Sequence, residues 1–120
     1  MTESLYIHVA SKHWLEVLES LRQENTALKY RLAEILKGRV DTGLAHDAEA
    51  FQQKLIQYDQ LLALLKQDML GFMSAGNEAT PKTRKSGNRY DFYDLEMDVQ
   101  RTRHILEGTK ASMEQRLFHH

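Results

Sequence analysis

Large apolar residues recur at Leu44, Ala48, Phe51, Leu55, Tyr58, Leu62, Leu65, Met69 and Phe72, in unbroken steps of four and three. That 3.5-residue spacing keeps one edge of a helix turned toward a partner. At 1.5 Å per residue such a helix is about 45 Å long, and it cannot bury its apolar edge alone. The alternation returns in Ile7, Trp14, Leu18, Leu21, Asn25, Leu28, Leu32 and Ile35, and in Phe92, Leu95, Val99, Thr102, Leu106, Thr109 and Met113. The pattern predicts three helices, over about residues 4–37, 43–75 and 89–117. Ser11 occupies the slot between Ile7 and Trp14, so the first helix starts either near Thr2 or Ser4 or later, with Ser11 as its cap. Gly38 is placed to stop it, Asp41 and Thr42 to cap the second, and Asn88, three residues before Asp91, to cap the third.

The joint between the first two helices is a few residues long, which makes them antiparallel neighbours. Residues 76–88 contain the chain's only proline together with Lys82, Arg84 and Lys85, and read as a flexible basic linker. One domain over residues 1–120 follows: an all-α, three-helix up-down-up antiparallel bundle with coiled-coil-like packing. The central helix has more apolar surface than one neighbour covers. Ile56, Ala63 and Leu70 repeat every seven residues outside the main seam, with Leu61 and Leu64 beside them. Ile56, Leu61, Leu64 and Leu70 are therefore the candidate dimer or partner face, unless the third helix covers them. Folding the chain back at its two joints brings Asn25, Tyr58 and Thr109 to one level. They are a candidate buried polar layer, with Asn25 bonded to Tyr58 or Thr109, or else pointing into a wet groove.

Composition narrows the function. The chain has 120 residues, no cysteine and a formal charge of −1. Disulfides and thiolate metal sites are excluded, and no global field steers it toward nucleic acid or an acidic membrane. No apolar run approaches the roughly 20 residues of a membrane span, and Glu3, Ser11, Lys12 and His13 stand where a secretion signal is apolar. A cytoplasmic protein is expected. Lys82, Arg84, Lys85 and Arg89 lack interleaved aromatic residues, so they make a weak phosphate-binding patch; nucleic-acid contact through them is the weakest reading. His119-His120 form a plain tail or a tag remnant.

Candidate chemistry is sparse. Each helix carries one His-x-x-Glu pair, His13 with Glu16, His46 with Glu49 and His104 with Glu107. All three histidines fall on outward positions at different heights, and the order is the reverse of the Glu-x-x-His used by di-iron bundles. Solvated histidines with local ion pairs are the expectation, and no metal ligand, cofactor or catalytic residue is assigned. Neither a phosphate-cradling glycine loop nor a Ser-His-Asp set that a bundle would assemble is present, so an enzyme is not expected. Trp14, the sole tryptophan, reads as core. Tyr90, Phe92 and Tyr93, set opposite Met69, Phe72 and Met73, form an aromatic plug or the wall of a small pocket.

The order from Ile7-His8 through Trp14-Leu15 and Tyr30-Arg31-Leu32-Ala33-Glu34-Ile35, to Ala50-Phe51-Gln52-Gln53 and Lys66-Gln67-Asp68-Met69, resembles an uncharacterised family of small helical bacterial proteins. The resemblance covers residues 7–70 and implies a bundle like haemerythrin in outline. Members often carry further His and Glu residues near the first turn; this chain matches there only at His8, with Ala10 and Ser11 in the other places. The expectation is a non-enzymatic structural or protein-interaction bundle, pairing with itself as a homodimer or with another helical protein. A small-ligand or metal-binding bundle is the alternative.

Overall fold

The computed structural model describes residues 2–38, 41–75, 82–83 and 89–118. Three helices carry the architecture: α1 (Thr2–Lys37), α2 (Thr42–Ala75) and α3 (Phe92–Arg116). They pack as an all-α, up-down-up bundle measuring 58 × 28 × 18 Å. Its long axis is set by α1, whose 36 residues span about 54 Å. Ser11 lies inside α1 with no solvent exposure, so the helix starts at its early position. Between α2 and α3, Lys82–Thr83 (β1) pairs antiparallel with Arg89–Tyr90 (β2), Lys82 opposite Tyr90 and Thr83 opposite Arg89. Lys82–Thr83 lies where the sequence reads as linker and Arg89–Tyr90 where it reads as the start of the third helix; Arg84 and Lys85 are outside the described residues.

Each joint is set by local chemistry. Asp41 caps α2, its Oδ1 accepting from the Leu44 amide at 2.7 Å. The third helix starts later than expected and with another cap. Arg89 and Tyr90 are committed to β2, and Asp91, extended at φ −103° and ψ −178°, caps α3 in place of Asn88. Asp91 and Asp94 exchange side-chain-to-amide bonds of 2.9 and 3.0 Å, a reciprocal box satisfying two otherwise unpaired N–H groups. The helix runs past Gly108 to Arg116. A Cβ built at Gly108 meets nothing within 4 Å, so Gly108→Ala is expected to stabilise the fold by about 0.5–1 kcal/mol in urea denaturation. A destabilised variant would show that this turn is not regular helix.

The apolar seams face inward together. On α2, Ala48, Leu55 and Met69 have no exposure, and Phe51, Leu62, Leu65 and Phe72 are buried; on α3 the whole seam from Phe92 to Met113 is buried. The core falls into two clusters. One gathers Trp14, Leu18, Leu62, Met69, Phe72 and Leu95 near the α3 N-terminus, the other Leu28, Leu32, Phe51, Leu55, Met113 and Leu117 near its C-terminus. Tyr58 packs against both. The boundary between the clusters is polar.

Candidate interaction site

Asn25, Tyr58 and Thr109 meet this boundary from three helices, but not as one bonded triad. The Tyr58 hydroxyl and Thr109 Oγ1 lie 2.9 Å apart, tying α2 to α3. Asn25, 1% exposed, turns instead toward α2: its Nδ2 donates to the Leu55 carbonyl at 2.9 Å and to Asp59 Oδ1 at 2.6 Å. Lys29 Nζ donates to the other oxygen of Asp59. Asn25 Oδ1 is buried with no hydrogen-bond partner among the described residues, as is Ser11 Oγ. Asp59 is the member of this layer that seam reading misses, because it sits beside the α2 seam and so reads as solvated.

A second polar tie joins α1 to α3. Glu96 Oε2 accepts from Trp14 Nε1 at 2.8 Å and from the Tyr6 hydroxyl at 2.9 Å. The carboxylate holds the Tyr6 proton in place and raises its pKa above the usual phenol value. Phe92, 2% exposed, meets Phe72 and Tyr6 edge to face at 5.5 and 6.1 Å, while Tyr93 stacks on Tyr6 from outside. The aromatic cluster at this end is a plug, and Tyr6 of α1 is a member that reading α2 and α3 alone leaves out. Glu96→Ala leaves the buried indole N–H unpaired and is expected to cost about 1–3 kcal/mol. Trp14, the only tryptophan, reports the change directly through its fluorescence in a urea titration. An unchanged midpoint would show that the tie contributes nothing.

His8, His13, His46 and His104 are all exposed, and among the described residues no three His, Asp or Glu side chains are grouped to hold a metal ion. Nor is any described helix long and apolar enough to cross a membrane.

The bundle leaves apolar side chains open on every helix, Leu5 and Val9 on α1 and Met97 and Ile105 on α3 among them, and four of them lie on the outer side of α2. Ile56, Leu61, Leu64 and Leu70 are 40, 37, 59 and 38% exposed, so α3 does not cover them. They do not form one face. Nine residues at 100° each set Leu61 about half a turn round the helix from Leu70. Ile56 and Leu70, with Ala63 between them, flank α1, whereas Leu61 and Leu64 lie toward the other side. On the α1 flank the two helices enclose a groove of about 540 Å³, floored by Leu15, Leu18, Leu62, Ala63 and Leu70. Charged residues rim it. Arg22 and Glu19 pair at 2.5 Å, Lys29 pairs with Asp59, and Lys66 adds a further cation. The bonds from Arg22 and Gln23 hold the Glu19 carboxyl down at about 2, so it stays charged through the physiological range.

Comparison with family models, with curated proteins and with solved structures finds no match.

Proposed function

We propose that this chain is a non-enzymatic helical interaction module acting in the cytoplasm, which holds another helix, its own or a partner's, against the outer side of α2. The observation that supports this reading is the exposure of large apolar side chains on two flanks of α2, Ile56 and Leu70 beside α1 and Leu61 and Leu64 away from it, 37–59% exposed on the helix that both other helices already contact. Exposing leucine and isoleucine costs roughly 25 cal/mol per Å² relative to burying them, and a docked helix recovers that free energy. The charged rim of the neighbouring groove adds selectivity by matching or opposing a partner's charges.

A photo-crosslinking amino acid tests the reading in cells of the source organism. Placed at Leu64 or Leu70 it is expected to yield protein adducts, and at Tyr30, which is 71% exposed on α1, few or none. No adducts at Leu64 and Leu70, or equal yields at all three positions, would remove the docking role of α2.

A further inference from the structure

Along the α1 flank of α2 runs a stripe of Ile56, Asp59, Ala63, Lys66 and Leu70, in steps of three, four, three and four. At 100° per residue the five fall within about a quarter turn of one another. Ile56 is 40% exposed, and the other four line the open groove. The two ends of this stripe are alike in apolar character, and the charges either side of Ala63 are opposite in sign. Turned end for end about Ala63, Ile56 falls on Leu70, Ala63 on itself, and Asp59 within one residue of Lys66. The stripe is complementary to its own reversed copy, apolar against apolar and carboxylate against ammonium.

The charges on the rim support the same occupant. Arg22 is paired with Glu19 and Lys29 with Asp59, whereas Lys66 makes no ion pair among the described residues and acts on Glu19 only at a distance. A second copy brings each Lys66 toward the exposed edge of the partner's Asp59, which already accepts from Asn25 and Lys29 of its own chain and takes Lys66 as a further donor. Ala63 has only a methyl group at the crossing point, so two backbones approach closely there. Antiparallel helices also set their dipoles in opposition.

We propose that the occupant of this groove is a second copy of the chain, with α2 packed antiparallel on the partner's α2 about a two-fold axis through Ala63. This rests on the reading of the outer side of α2 as a docking face, and it fixes both the partner and the alignment. The interface is isologous and closes at two chains.

The full chain contains no cysteine, so Ala63→Cys introduces one thiol per protomer. Sedimentation equilibrium of the unmodified chain is expected to show a dimer. The Ala63→Cys chain is expected to form a disulfide-linked dimer under mild oxidation, and a Tyr30→Cys chain is not. Lys66→Asp sets like charges across the two-fold and is expected to weaken the dimer by about tenfold or more, with circular dichroism unchanged. A chain that is monomeric at every concentration overturns the proposal. In that case adducts from Leu64 or Leu70 to other proteins would still uphold the docking reading. A dimer in which the thiol at position 63 does not link, or which Lys66→Asp leaves intact, uses another face and also overturns it.

Discussion

Asn25→Asp is expected to be among the most damaging single substitutions in this chain, costing about 3–5 kcal/mol at neutral pH. The side chain at this position is 1% exposed and lies against two acceptors, the Leu55 carbonyl and Asp59 Oδ1. An amide donates to both. A carboxylate donates to neither, is repelled by Asp59 and has no water to solvate it. Burial and the neighbouring charge raise the folded-state pKa of the new carboxyl above its unfolded value of about 3.9. A group shifted in that direction binds its proton more tightly in the folded state. The variant therefore approaches the unmodified chain below the unfolded pKa, and its deficit grows as pH rises through the folded pKa. Melting temperatures of both chains across a pH series check this. A constant difference would mean that the side chain reaches solvent.

Asn25→Leu is the informative companion. It removes the unpaired Oδ1 along with the two donors and leaves Asp59 its bond from Lys29. Asp59 is 31% exposed, so water takes up the oxygen that Asn25 releases and no buried group is left unpaired; the melting temperature is expected to hold or rise. The loss falls instead on specificity, because without the amide the two apolar clusters merge and α1 slides more freely against α2.

Leu55→Ala is the second large effect, expected to cost about 2–5 kcal/mol and to lower the melting temperature by on the order of 10 °C. Leu55 has no exposure and packs with Leu28, Leu32, Phe51 and Met113, so truncation opens a cavity beneath the polar layer. Leu64→Ala is the control on the same helix. At 59% exposure it is expected to change stability by less than about 1 kcal/mol. Equal losses at the two positions would contradict the orientation assigned to α2.

The seams were legible because burial on a helix recurs with a period that sequence displays directly. Every seam position of α3 from Phe92 to Met113 is buried, and on α2 the alternation separates Leu55, Leu62 and Met69 from Leu64. The level shared by Asn25, Tyr58 and Thr109 follows from the same spacing and from folding the chain back at its two joints. Their actual partners do not. Whether Asn25 reaches Tyr58 or Asp59 depends on rotation of one helix about its axis by less than a residue's step, which a seven-residue pattern does not resolve. Glu96 was hidden for a related reason: in the first turns of α3 it reads as one more acid near a helix N-terminus, and only the packing of α1 beside α3 brings Trp14 and Tyr6 to it. The ladder between Lys82–Thr83 and Arg89–Tyr90 has no alternating apolar pattern to announce it, and by forming it displaces the α3 cap to Asp91. The candidate face was legible as excess apolar surface. Its division into two flanks emerged only once α1 and α3 had taken their places around α2.

Hydroxyl-radical footprinting of α2, read by mass spectrometry at low protein concentration, tests most directly the claim that this helix is buried along one edge and open along the other. Ile56, Leu64 and Leu70 are expected to be modified readily, and Leu55, Leu62, Leu65 and Met69 to be protected in the folded chain and to react only on unfolding. Comparable reactivity in the two sets under folding conditions would contradict the account.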